Sequence, residues 1–303
     1  MLHEGIAKTF IAQFICTQRS MSKCLGKLDF EVRPTKMSGT LAGMRAQFCC
    51  TNGVQKHRHA QLLHWVAVHT LDRGVAVGTF MLLLAVIPAV VLFAYIYGKD
   101  TTEKEPPKLL LSLFLLGALT TAGASIIEIA TSSLLSMFLS PNSTIYQLIE
   151  NFLLVAFVEE LGKYLALRAR TWNDPQFNYT YDAVVYAVIV SLGFATLENI
   201  LYLMDASLVT AVARGVLSVP GHAIDGVFMG FFYGLAKRAE RQGDTARCKT
   251  NLRLALVAPV VIHGLYDFYL SAELLVVFLV FEVAITTAAI LYVRRLSRED
   301  TPL

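Results

Sequence analysis

The sequence predicts an all-α fold: a polytopic membrane protein built as a bundle of about seven transmembrane helices. Three observations carry this. Hydrophobic residues make up 55% of the chain and charged residues only 16%, against about 25% charged in soluble domains. Mean hydropathy is +0.55, and apolar runs of membrane-spanning length recur along the chain. No period-two alternation of the barrel kind appears. Helices are then the only structure that satisfies every backbone group in lipid.

The elements follow in order. Residues 1–76 carry ten Lys/Arg against four Asp/Glu and contain no spanning run. They are expected to be a poorly structured extension, with Met81 the natural start. The transmembrane domain is expected over residues 77–295 and a polar cytoplasmic tail over 296–303. The first span covers about 77–97, followed by a charged link that ends in Pro106-Pro107. The second, about 109–139, contains Glu128, and Ser140 to Thr144 is a turn. The third, about 145–168, is followed by a polar loop that reaches Tyr181. The fourth covers about 182–204, and Asp205 to Ser218 connects it to a fifth, about 219–236. Gly221, Gly226, Gly230 and Gly234 mark the fifth as a helix that packs closely on a neighbour. Lys237 to Arg253 reads as a basic loop, and the last spans are about 254–271 and 274–293.

Lys/Arg placement orients the bundle. The segments after the third and fifth spans and the tail are basic (Arg168, Arg170; Lys237, Arg238, Arg241; Arg294, Arg295), and one topology puts all of them in the cytoplasm. The uncharged turn at Ser140 to Thr144 then lies outside. So does the start of the first span, which ten basic residues ahead of it oppose and a start at Met81 does not. Net charge is +3 with no folded basic domain, so no nucleic-acid partner is expected. Cys16, Cys24, Cys49, Cys50 and Cys248 avoid the expected spans and have no zinc-module spacing.

Four spans carry polar clusters where polar groups are expensive. A carboxylate at mid-bilayer depth costs roughly 2.5–3.5 kcal/mol on insertion scales. Glu159 and Glu160 stand side by side in the third span, and Lys163 is three and four residues on, on the same helix face. Alone, such a trio reads as an ion pair that locks two helices. Beside further clusters, it reads as a base that activates water. The fourth span has Phe194 one turn before Glu198-Asn199, the asparagine a donor for a developing oxyanion or a water. In the fifth, His222 near the outer edge has Asp225 three residues on, which serves as its partner. In the sixth, His263 and Asp267 share a face, as a histidine oriented by a carboxylate or as two metal ligands. Glu128 and Glu282 have no partner in their segments and are expected to make packing or lipid-edge contacts. By depth, Glu159 and His263 lie near mid-bilayer and Glu198, His222 and Asp267 towards the outside, so a shared polar cavity opens outward.

Taken in order, Glu159-Glu160-x-x-Lys163, Phe194-x-x-x-Glu198-Asn199, His222-Ala-Ile-x-Gly226 and His263-Gly-Leu-x-Asp267 resemble the motifs of the PrsW family of intramembrane proteases. Tyr97-x-x-Asp100, Glu105-Pro106 and Gly117 are similar to that family's first loop and second span, and the likeness covers roughly residues 81–295. The resemblance implies a multi-pass protein of the bacterial plasma membrane. Its partner would be a single-pass substrate, an anti-sigma factor cut on its extracytoplasmic side. In the wider group, which includes the type II CAAX prenyl endopeptidases, the first Glu of the pair activates water while His and Asn or Asp side chains stabilise the oxyanion. That maps onto Glu159 as base and His263 as oxyanion or water ligand, with Glu160 orienting. The prenyl proteases carry His where Glu198 stands and Asn where Asp267 stands. No cofactor is expected, although the Glu/His set is compatible with zinc. The reading from a different class is a proton- or cation-coupled transporter or channel that uses the same buried groups. Carriers of that kind show broken helices or internal repeats, which this sequence lacks.

Overall fold

The computed structural model describes residues 79–303 apart from 81 and 204–207. The expected extension over 1–76, four of the five cysteines and the expected start at Met81 lie outside the described residues. Among the described residues nine helices follow in order: α1 (Leu82–Lys99), α2 (Pro107–Ser136), α3 (Thr144–Ile149), α4 (Phe157–Thr171), α5 (Asp182–Leu203), α6 (Leu208–Ala213), α7 (Val219–Arg241), α8 (Thr245–Ser271) and α9 (Leu275–Arg298). A π-helical stretch, Glu150–Ala156, joins α3 to α4, and a second, Arg214–Ser218, joins α6 to α7. Among the described residues six helices are long and apolar enough to cross a membrane. The expected third span is the continuous helical rod from Thr144 to Thr171, which carries Glu150, Glu159, Glu160 and Lys163 and packs against α2 and α8.

The bundle is organised around α5. Over residues 183–190 its side chains are all buried, as expected of a helix apolar on every side. Two glycines let α2 reach it: a Cβ at Gly117 would sit 2.0 Å from the Val190 carbonyl oxygen, and one at Gly193 would sit 2.0 Å from that of Phe114. The backbones touch, and Thr121 Oγ1 donates to the Phe194 carbonyl across the same contact at 3.1 Å. On the other side α7 meets α5 through the expected glycine row, where a Cβ at Gly230 would lie 2.6 Å from the Ala183 carbonyl oxygen. The peripheral helices α1 and α9 bury only 17% of their most apolar windows and turn Val90, Val91, Val276 and Val280 outward. That is the distribution a bilayer asks for.

Three boundaries differ from the sequence reading. Lys237 to Arg253 is not a loop: α7 runs to Arg241 and α8 begins at Thr245, so most of the basic residues decorate helix ends and Cys248 is buried in the first turns of α8. Hydropathy loses these turns because snorkelling Lys and Arg look like loop. The fifth span starts earlier than 219, as one helical run over Val212–Arg241; His222 therefore stands well inside it rather than at its edge. The last helix runs on to Arg298, past the expected start of the tail at 296. The Asp300 carboxylate accepts from Tyr181 N at 2.9 Å and Thr180 Oγ1 at 3.0 Å, and Leu303 N donates to the Asn178 carbonyl at 2.7 Å.

Candidate active site

A cavity of about 560 Å³ enters the bundle among the C-terminal halves of α2, α5 and α8, the first turns of α7 and α9, and the rod containing α4. Both π-helical stretches border it, through Glu150 and Val155 in one and Arg214 and Ser218 in the other. A π turn holds one more residue than an α turn and so re-aims the helix after it, a common device at functional sites. Here the helices after the two stretches carry Glu159 and His222.

The eight sequence-predicted residues come together from four helices. Lys163 is at the centre of one group, its side chain 0% exposed. Its ammonium donates to Glu160 Oε1 at 2.7 Å, to Glu159 Oε2 at 3.4 Å and to His222 Nδ1 at 3.0 Å, and lies 4.0 Å over the Phe194 ring. The same oxygen of Glu160 is 2.9 Å from His263 Nδ1, and His263 Nε2 is 3.2 Å from Asp267 Oδ2. The two carboxylates thus differ. Glu160 is sealed behind the wall between an ammonium and an imidazole, whereas Glu159 lies on the cavity wall and its nearest ionic partners are Lys163 at 3.4 Å and His263 at 4.0 Å.

His222 links this group to a second one. An ammonium can only donate, so the Lys163 contact makes His222 Nδ1 an acceptor and leaves the ring proton on Nε2, which points at Glu198 Oε2 at 2.9 Å. Glu198 Oε2 is also 2.8 Å from Arg214 Nη2. Arg214 Nε donates to Asn199 Oδ1 at 2.9 Å, and the guanidinium lies 3.7 Å over the Tyr202 ring. Asn199 is buried, but it stands behind the cavity wall with its Nδ2 unbonded.

Arg214 is the residue the sequence reading missed. Its signal was present: an arginine in an apolar region is expensive unless paired. With the fifth span started at 219, however, it counted as connector. Asp225 does not partner His222; its Oδ2 is 3.8 Å from His263 Nδ1 and its Oδ1 is buried without a hydrogen bond. Three residues along a helix from His222, it faces α8 instead. Glu128 and Glu282 are not at a lipid edge either. Both line the cavity, from α2 and α9, because the rotation of those two helices turns them inward.

A membrane-embedded helical bundle with a carboxylate on a cavity wall, backed by histidines, a lysine and an arginine, suits an intramembrane hydrolase as well as a proton-coupled carrier, and comparison with known proteins decides the class. The family model described as PrsW family intramembrane metalloprotease matches residues 105–293, and the chain belongs to that family. Among curated relatives it is 37% identical over 188 residues to Protease PrsW of Geobacillus kaustophilus strain HTA426, covering 62% of this chain and 78% of that protein. It is 37% identical over 187 residues to Protease PrsW of Bacillus subtilis strain 168, covering 62% and 81%. The figure for Protease PrsW of Clostridioides difficile strain 630 is 30% over 197 residues, covering 64% and 80%. No solved structure matches the chain. The protein is a multi-pass membrane peptidase, and the transporter reading gives way to this.

The family description includes a metal, and the residues bear on it. Glu159, Glu160, His222 and His263 offer donor atoms within 4.8 Å of one another, a set of the kind zinc accepts. The Lys163 ammonium stands against three of the four, 2.7 Å from Glu160, 3.0 Å from His222 and 3.4 Å from Glu159. As these side chains stand, the set does not fit a divalent ion: the ion would face a fixed positive charge at contact distance.

Proposed function

We propose that this protein is an intramembrane endopeptidase in which Glu159 activates water to hydrolyse a peptide bond of a single-pass membrane protein, an anti-sigma-factor-like substrate, on the extracytoplasmic side of the bacterial plasma membrane. One observation carries the reading: of two adjacent buried carboxylates, Glu160 is neutralised and sealed while Glu159 faces the cavity. A general base needs access to its proton donor and a carboxylate not already saturated with hydrogen bonds. Glu159 takes the water proton as the oxygen adds to the scissile carbonyl carbon. His263, oriented by Asp267 and Glu160, meets the oxyanion or the attacking water. When the tetrahedral intermediate breaks, the proton held by Glu159 passes to the leaving nitrogen, the other water proton stays on the acyl oxygen, and a carboxylic acid and an amine result. Lys163 supplies the fixed charge that keeps the pair ionic in the membrane. No step uses a metal.

The proposed side of cleavage rests on charge. Lys99, Lys104, Arg170, Arg241 and Arg298 gather at the end of the bundle where α1, α4, α7 and α9 terminate. The cavity lies towards the other end, beside Ser136, Tyr202 and Asp267. Positive residues stay inside, so the cavity opens outward.

The test is co-expression of candidate single-pass membrane proteins with wild type and with Glu159→Ala, followed by mass-spectrometric mapping of new termini. Cleavage in the outer half of the substrate helix or just beyond it, lost in the variant, is the expected result. A cut in the cytoplasmic half overturns the orientation. Chelator treatment of purified enzyme is expected to leave activity intact; loss restored by stoichiometric zinc overturns the metal-free mechanism.

A further inference from the structure

We infer that Arg214 is a positioning residue of this reaction: it acts through Glu198 to hold the His222 ring in one orientation, with its Nε2–H on that carboxylate. The inference deepens the proposed peptidase reading and rests on it. Arg214 comes from the π-helical stretch before α7, about two turns before His222, and its side chain is 7% exposed. A buried guanidinium keeps its charge under any ordinary condition, so its acceptors are held in one arrangement. Three are within reach: Glu198 Oε2 at 2.8 Å, Asn199 Oδ1 at 2.9 Å and Ser218 Oγ at 3.4 Å. Tyr202 floors it from the cavity side, its ring 3.7 Å away. The first two acceptors are the adjacent polar residues of α5, so one side chain orients both.

The consequence runs through a single oxygen. Glu198 Oε2 receives Arg214 from one direction and the His222 ring from the other. The guanidinium charge beside it favours the ionised carboxylate, which can only accept, so the proton between Glu198 and His222 belongs to the imidazole. At the far side of the ring Lys163 demands an acceptor at Nδ1. In the chain Arg214–Glu198–His222–Lys163, Lys163 therefore sets the tautomer and Arg214 holds the acceptor that fixes the ring's orientation. Without Arg214, Glu198 is a buried carboxylate with a neutral partner, a costly state that it relieves by taking a proton or turning away. Either change removes the acceptor facing Nε2.

Two measurements on the full-length protein test this, one independent of cleavage. In purified protein with 15N-labelled histidine rings, the His222 resonances are assigned by their loss in His222→Gln. Wild type is expected to show an unprotonated Nδ1 and a protonated Nε2. Arg214→Gln is expected to shift the Nε2–H resonance as its acceptor is lost, while Nδ1 stays unprotonated against Lys163, and Arg214→Lys to retain the wild-type pair. An unchanged His222 pattern in Arg214→Gln overturns the proposal, whatever the activity. The kinetic arm uses the substrate cut by wild type. Arg214→Gln is expected to lower kcat about a hundredfold with KM within about threefold, and Arg214→Lys to restore most of it. Because Arg214 acts through Glu198, Arg214→Gln/Glu198→Gln should be no slower than Glu198→Gln alone. Losses that multiply would show Arg214 acting on the substrate directly and overturn the relay. A failed peptidase reading shows itself separately, as wild type and Glu159→Gln behaving alike.

Discussion

Both ends of this bundle bury carboxylates, and they satisfy them with different partners. At the basic end, Asp182 accepts from the backbone N–H groups of Tyr179 at 2.7 Å and Asn178 at 3.0 Å, Glu105 accepts from the Tyr186 hydroxyl at 2.6 Å, and Asp300 caps Tyr181. The surroundings are packed solid by Phe177, Tyr181, Tyr186 and Tyr233, all 0% exposed. At the cavity end the partners of Glu159, Glu160 and Glu198 are a lysine, two histidines and an arginine, and Glu160 Oε2 and Asp225 Oδ1 have no hydrogen bond at all. Backbone and phenolic donors hold these carboxylates in place, and Glu105 and Asp182 hydrogen-bond to each other rather than to a cation. Titratable side chains around a cavity hold a carboxylate in a network that can pass a proton. The first end is built to stay in place and the second to react, and the glycine contacts of α5 with α2 and α7 fix the one relative to the other.

The largest effect that separates the two ends is catalytic. Glu159→Gln is expected to abolish cleavage, about a thousandfold or more, while the protein still accumulates in the membrane, because the sealed partner of the lysine is Glu160. Cleavage assays on membranes with matched protein levels check this. If Glu159→Gln cleaves almost normally and Glu160→Gln is dead, the two carboxylates exchange roles.

The joint between the ends comes next. Gly193→Leu puts a side chain into the Phe114 carbonyl, where even a Cβ would stand at 2.0 Å; no rotamer avoids backbone. Loss of membrane accumulation is expected, read by quantitative blotting, and normal accumulation would show that α2 and α5 can separate. Lys163→Met should be milder. It leaves two buried carboxylates without their cation, a loss of roughly 3–5 kcal/mol for a broken buried pair, measured as a lower melting midpoint in detergent. A wild-type midpoint would mean that the ammonium does not neutralise the pair.

The smallest effect belongs to the packed end and appears as pH dependence of stability. Burial pushes the Glu105 carboxyl up from 4.5 to about 7, against the hydrogen bond from Tyr186. The folded state therefore keeps a proton that the unfolded chain releases. The contribution is fully present below the unfolded value and declines as pH rises through the folded one. Between about pH 4.5 and 7 the melting midpoint should fall by a few degrees, ~2–4 °C, and Glu105→Gln should flatten that slope without changing kcat. A slope unchanged in Glu105→Gln would place the titrating group elsewhere.

By itself, the sequence determined which segments leave water and which polar residues go with them. Spanning length, turn chemistry and the cost of charge in lipid are local properties. So the rod with Glu159, Glu160 and Lys163, the α5 helix with Glu198 and Asn199, and the His263–Asp267 pair one turn apart were all legible. Only the tertiary structure decided partners across helices. Asp225 turned to His263 rather than to His222, Glu128 and Glu282 turned into the cavity, and Arg214 joined Glu198 to Asn199. These outcomes depend on the rotation of each helix about its axis and on the crossings set by Gly117, Gly193 and Gly230. A hydropathy profile measures how apolar a segment is. Which of its faces meets which neighbour is fixed only when the backbones touch.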